Sequence, residues 1–296
     1  MAKFSEDTLA SFTRPPSDSE ETKLANSERM VRQAICEDDI LSKLKVEVFG
    51  QGSYANDTNV RLNSDIDINV RCMEGFLVDL PNGKSDSDFG LLDAGGLSFT
   101  EYKNAVENAL VKKFGRSSVT RNDKCITIEE NSYRIETDVV PTFDYRSYYA
   151  NGTFSQGAKF YADSGKSIVN YPLQHINNGK SKNSLTQRRF KRLTRIYRRI
   201  RYKMMEDGLS VNDKITSFLL ECLVWNVPNP TFNQYYSWTD RLKNSIIYLH
   251  ENTTELEKCK EWGEVSEILY LFYSGRKWTH SDVNAYLVQM WNYLEY

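Results

Sequence analysis

Asp65 and Asp67 stand two positions apart in the run DIDINV. On a strand, that spacing puts both carboxylates on one face and turns Ile66 and Ile68 to the other. Carboxylates aimed at one point repel unless a cation lies between them, and hard oxygen ligands select magnesium or manganese, ions that also bridge triphosphate oxygens. A lone Asp-X-Asp is as readily a solvated strand face, so the surrounding residues decide. Gly52-Ser53 follows the β-like run KVEVFG and opens a helix start, where free backbone amides and the Ser53 hydroxyl can hold phosphate. Asp138, in RIETDVVPTF, shares a strand face with Arg134, Glu136 and Val140 and can meet the aspartate pair across a sheet; Glu136 is the substitute on that face. Three carboxylates beside a phosphate-holding turn form the set that two-metal nucleotidyl transfer requires. In that scheme Asp65 and Asp67 ligate both ions, and Asp138 ligates the one that lowers the pKa of the attacking hydroxyl.

These residues need elements to position them. Past Pro15-Pro16, Ser27 is placed to cap a helix running to about Leu44. Strand, Gly-Ser turn and strand follow, then a loop rich in Gly, Asp and Ser from Leu80 to Leu97, and a helix from Thr100 to Phe114. SSVTR, CITIE and YRIETDVVP are β-like, and Asn151-Gly152 marks a hairpin between aromatic-rich runs. The first half therefore predicts a mixed sheet with helices packed on it. Beyond about Leu185 the periodicity becomes helical, in TQRRFKRLTRIYRRIRYKMM, ITSFLLECLVW, the stretches around Leu242 and Leu269, and DVNAYLVQMWNYL. The expected fold class is α/β (α+β), with a sheet lobe at 1–184 that includes an N-terminal helix, a helical lobe at 185–296, and a catalytic cleft between them.

In the long basic helix, Phe190, Leu193, Tyr197, Ile200 and Met204 form the apolar stripe while Lys191, Arg195 and Arg198 line up opposite. That basic face is either available to phosphate or simply solvated.

The formal net charge is -2, so the molecule as a whole offers phosphate no general attraction, which disfavours a dedicated nucleic-acid binder. The five cysteines form no CxxC pair and are expected to be reduced thiols. His175, His250 and His280 lack metal-site spacing. Without an apolar leader or an 18-residue apolar run, the expected place is the cytoplasm, with no membrane contact.

The runs GSYANDTNVRLNSDIDINV, TDVVP, IVNYPLQHINNGKSKN, FKRLTRIYRRIR, SFLLECLVWNVPN and EVSEILYLFYSGRKWT, in this order, resemble the nucleotidyltransferase core of cyclic GMP-AMP synthase and the bacterial cyclic-oligonucleotide synthases of anti-phage defence, in particular their E clade. The resemblance covers the chain from about Glu28 onward. It implies a polymerase β-like core and a magnesium- or manganese-dependent enzyme acting as a monomer without a template. Such an enzyme would join nucleoside triphosphates into a cyclic di- or trinucleotide second messenger for a separate effector protein. It maps metal ligands to Asp65, Asp67 and Asp138, a phosphate contact to Ser53 beside Gly52, and a base-reading position to Asn170. The family's triphosphate lysine corresponds to Arg198, a departure, because a flat guanidinium is not a point ammonium. Asn170 is equally a turn former before Tyr171-Pro172. Tyr145, Tyr148 and Tyr149 fit hairpin packing better than base stacking. The alternatives are a nucleotidyltransferase that modifies RNA ends or protein side chains, and a non-catalytic module that senses nucleotides.

Overall fold

The computed structural model describes residues 2–60, 66–92 and 95–296. They form two compact units, a sheet unit of Ser17–Ala55 and Ser64–Pro172, and a helical unit of Met1–Pro16, Asn56–Asn63 and Leu173–Tyr296.

The helical unit begins with α1 (Glu6–Phe12), and the sheet unit with α2 (Asp18–Cys36). The start of α2 lies well before the expected Ser27, because Ser17 and Glu20 form a reciprocal capping box directly after Pro15-Pro16. Ser27 is instead buried within the helix. Next come β1 (Val46–Gln51), the single turn α3 (Gly52–Ala55), β2 (Ile66–Asp79) and α4 (Phe99–Phe114). Ser98 caps α4, with Glu101 closing the box. The strands β3 (Val119–Arg121), β4 (Ile126–Ile128), β5 (Thr137–Tyr148), β6 (Phe154–Tyr161) and β7 (Ser167–Asn170) complete a seven-stranded mixed sheet of order β1-β2-β5-β4-β3, with β6 on β5 and β7 on β6.

One sequence expectation for β5 needs correcting. The strand starts at Thr137 rather than Arg134: Asn131 accepts the N–H groups of Tyr133 and Arg134 in a turn, and Arg134 Nε donates to the Glu129 carbonyl. Pro141 lies within the strand. On one edge of β5, β4 pairs with residues 137–139 and β6 with 143–148, so Pro141 falls between them, where no partner on that edge requires an N–H.

The alternation of β2 decides which face is core. Ile66, Ile68, Val70 and Cys72 are buried with Leu24, Val31 and Ile35 of α2 and Tyr102, Val106 and Leu110 of α4. Asp67, Asn69 and Arg71 face the other way, and Asp138, Val140, Thr142 and Asp144 of β5 share that face with them. The expected hairpin at Asn151-Gly152 joins β5 to β6, with Gly152 in a left-handed conformation.

The helical unit continues with α5 (Pro172–Leu185), α6 (Arg189–Glu206), α7 (Ser217–Asn226), α8 (Asn229–Asn233), α9 (Trp238–Thr253), α10 (Leu256–Cys259) and α11 (His280–Tyr293). The stripe Phe190, Leu193, Tyr197, Ile200 and Met204 is fully buried in its core. Three features differ from the expectation. α5 lies ahead of the helical onset placed at Leu185: its Asn, Gly and Pro content masked it, yet Pro172 sits where its missing N–H costs nothing and His175, Gly179 and Lys182 are buried. The stretch around Leu269 is irregular, closed by a bridge between Gly263 and Tyr270, with Glu267 in a left-handed turn. The lead-in before Pro16, given to the sheet lobe, forms α1 and belongs to the helical unit, since Leu9 and Phe12 pack in its core and Glu6 accepts the N–H groups of Trp238 and Thr239 at the start of α9; the expected N-terminal helix corresponds to α2 of the sheet unit.

Candidate functional site

On the polar face of the sheet, Asp67 and Asp138 are direct register partners on parallel strands. Neighbouring strands lie about 4.8 Å apart, so the two half-buried carboxylates share one small space. Thr127 of β4 donates its hydroxyl to Asp138 Oδ1 and fixes that side chain from the other edge of β5. Asp65 lies outside the described residues. Glu136 is exposed one position before β5, and its carbonyl accepts from the Ile66 N–H.

Gly52 begins α3 with φ +64°, and a Cβ there would collide with Asp67 Oδ2. A glycine is therefore required twice over, for its backbone conformation and to let the phosphate-type turn lie against the carboxylate. Ser53 follows it, partly exposed.

The same face carries residues that sequence reasoning missed. Asn69 donates to Gln51 Oε1 (3.0 Å) and accepts from the Thr142 hydroxyl (2.7 Å). Arg71, buried, donates to Glu47 (2.6 Å) and lies 3.6 Å from the buried Asp144. The signal was present in DINVR, where Asn69 and Arg71 continue the alternation that Asp67 begins. Cys125 lies beside this group, and burial together with the charge of Asp138 pushes its thiol up to about 11, which keeps it protonated.

Two hard carboxylates pressed together in direct register are a donor set suited to a divalent cation. Among the described residues no cluster of three His, Cys, Asp or Glu forms a metal site, and the third expected ligand, Asp65, is not among those residues.

Asn170 ends β7 with its side chain exposed, and Tyr171 beside it is buried, its hydroxyl pushed up to about 12 chiefly by that burial. Of the three tyrosines, Tyr145 packs on Tyr171, Tyr148 on Phe89 and Phe154, and Tyr149 bonds to Ser155, the packing arrangement.

The basic face of α6 is neither solvated nor loose. Lys191, Arg195 and Arg198 are all buried in the helical unit. Arg195 donates to the carbonyls of Thr13 (2.9 Å) and Asp57 (2.7 Å) and pairs with the Asp57 carboxylate. Arg198 donates to the Thr58 carbonyl at 2.8 Å. Thr58 in turn donates its hydroxyl to Glu221 Oε2 (2.9 Å), and His175 Nε2 lies 3.0 Å from Glu221 Oε1. Burial raises the Glu221 carboxyl, but His175, Thr58 and Arg198 outweigh it and hold the group below its ordinary range. Lys191 differs: burial pulls its ammonium down against the pull of Asp57 and Glu221, and its Nζ has no hydrogen-bond or ion-pair partner among the described residues. His280 bonds to the Thr253 carbonyl through Nδ1.

A model of the cGAS/DncV-like nucleotidyltransferase C-terminal helical domain matches residues 177–295. The chain is 66% identical over 296 residues to the cyclic dipyrimidine nucleotide synthase CdnE of Cecembia lonarensis, covering 100% of both. It is 37% identical over 295 residues to the enzyme of the same name from Legionella pneumophila, covering 98% of each. The solved structure of the CdnE cyclic dinucleotide synthase of Elizabethkingia meningoseptica with GTP and Apcpp superimposes with a TM-score of 0.82 at 34% identity, over 99% of this chain and 100% of that one. Fold and similarity together make this protein a nucleotidyltransferase with a mixed-sheet, polymerase β-like core. Within that class, the chain belongs to the cGAS/DncV-like family, among the CdnE, or E-clade, cyclic nucleotide synthases.

No described helix is long and apolar enough to cross a membrane.

Proposed function

We propose that this enzyme joins two pyrimidine nucleoside triphosphates into a cyclic dinucleotide with release of pyrophosphate, and that Asp65, Asp67 and Asp138 form its catalytic centre. The observation that carries the reading is the direct register of Asp67 with Asp138 against the Cβ-free Gly52. Magnesium or manganese held by these carboxylates would offset their repulsion and stabilise charge on the phosphate chain. The chain's own residues do the rest. The Gly52-Ser53 turn offers backbone N–H groups and a hydroxyl to phosphate oxygens, and Thr127 holds the Asp138 carboxylate in one orientation. Lys191 is the phosphate cation this reading favours, since its ammonium is uncommitted while Arg195 and Arg198 are spent on backbone carbonyls; Arg198 keeps further donors for a secondary contact. Asn170, exposed at the end of β7, can give a base edge both a donor and an acceptor.

The pyrimidine preference rests on the relatives at 66% and 37% identity, both of them dipyrimidine synthases. By the same kinship the product is a second messenger that acts on a separate effector in anti-phage defence.

The test is incubation of the protein with all four ribonucleoside triphosphates and magnesium, followed by mass spectrometry. A phosphatase-resistant cyclic dinucleotide built from UTP or CTP is expected. Linear products alone, or label transferred to RNA, would overturn the reading.

A further inference from the structure

Residues 56–60 follow directly on Gly52-Ser53-Tyr54-Ala55 in the chain, and the helical unit grips them closely. Asn56, Thr58, Asn59 and Val60 are buried; Asp57 is exposed and is held in the left-handed region at φ +51°. A non-glycine residue keeps that conformation only where its surroundings enforce it, although Asp is among the residues that tolerate it best. Here the enforcement comes from Arg195. One of its terminal nitrogens donates to both the Asp57 carbonyl and the Asp57 carboxylate, and the other donates to the Thr13 carbonyl, so the buried guanidinium ties the turn to the N-terminal segment. One position on, Arg198 and Glu221 take the carbonyl and the hydroxyl of Thr58. The segment is thus held through two consecutive carbonyls and two side chains.

We propose that Arg195 and Asp57 are positioning residues: the guanidinium of Arg195 clamps Asp57 in its left-handed turn and thereby fixes the chain where it leaves the Gly52-Ser53 turn. This rests on the reading that Gly52-Ser53 holds phosphate. The clamp makes a commitment that a phosphate contact would not. A guanidinium poised for triphosphate would be freed by loss of Asp57 and would bind substrate more tightly. A clamp without Asp57 loses the geometry of the turn and with it turnover, while substrate affinity stays nearly constant.

The experiment measures kcat and KM for UTP, by pyrophosphate release, in Asp57→Asn, Asp57→Gly, Asp57→Ala, Arg195→Lys and the double variant Asp57→Ala/Arg195→Lys. Amide hydrogen exchange over residues 56–60 is followed in each. The expected order of loss in kcat is Asn least, then Gly, then Ala: Asn keeps an acceptor and tolerates the turn, Gly tolerates it freely, and Ala does neither. For Asp57→Ala the fall is about 10- to 100-fold with KM within about twofold. The double variant should lose no more than the worse single one, because both remove one interaction. Exchange over 56–60 should quicken in Arg195→Lys. The proposal is overturned if Arg195→Lys raises KM with kcat unchanged, if Asp57→Ala lowers KM, or if kcat and exchange both stay at wild-type values. Should the unaltered protein release no pyrophosphate, the functional reading falls, and the exchange measurement alone still decides the clamp.

Discussion

The Asp67–Asp138 pair of the sheet and the buried charges Arg195, Arg198 and Glu221 of the helical unit are set in opposite ways. On the sheet, Asp67 and Asp138 are set side by side with like charge, with a threonine hydroxyl and a bare glycine beside them. In the helical unit, Arg195, Arg198 and Glu221 are buried yet matched to carbonyls, a hydroxyl, a histidine and an aspartate of the same unit. A pair of like charges in direct register costs stability and persists where chemistry needs it. A matched buried network builds architecture. The difference separates residues that act from residues that build the fold around themselves, which residue type alone could not do.

The sharpest way to break this comparison is to neutralise the sheet pair. Asp67→Asn or Asp138→Asn should lower cyclic dinucleotide formation by roughly 10³-fold, worth about 4 kcal/mol. The thermal midpoint should hold or rise, because carboxylate repulsion is relieved. A large drop in midpoint would place these aspartates among the structural groups instead. Gly52→Ala comes next, since the added methyl meets Asp67 in a conformation that alanine resists; a loss of about 10²-fold in kcat is expected, with about 1–3 kcal/mol of stability.

In the helical unit the sign of the effect should reverse, with stability answering before chemistry. Glu221→Gln should cost about 1–3 kcal/mol in urea denaturation by weakening the bonds to Thr58 and His175. Because the Glu221 carboxyl is held below its ordinary value of 4.5, it stabilises the fold above that pH, and the contribution is lost as pH falls through the lower folded value. The Gln variant should therefore show a shallower acid slope. Lys191→Met gives the smallest effect, a rise in KM for UTP of about tenfold at little cost in kcat or midpoint, since its ammonium holds nothing among the described residues. An unchanged KM would move Lys191 to the architectural group.

What could be read from the sequence follows from the same physics. Strand alternation is a local property, so the faces of DIDINV and the turn at Gly52 were legible in advance, as was the buried stripe of α6. The pairing of Asp138 with Asp67 needed only that both lie on strands of one sheet. Long-range partners were not legible. Nothing near Arg195 announces Asp57 or Thr13, far away in the chain, and a basic helical face looks alike whether phosphate, water or a backbone carbonyl meets it. α5 was hidden because its Pro, Asn and Gly residues are breakers by propensity, and tertiary burial of His175, Gly179 and Lys182 overrides them. The start of β5 was misplaced because Tyr-Arg-Ile alternates like a strand, whereas the Asn131 side chain draws that backbone into a turn.

The central claim, that the sheet carboxylates form a cation site for a nucleotide, is tested most directly by manganese binding. Titration of the protein with manganese in the presence of a non-hydrolysable UTP analogue, followed by electron paramagnetic resonance, should show saturable uptake by the unaltered chain and near-complete loss in Asp67→Asn. Equal uptake by both proteins would contradict it.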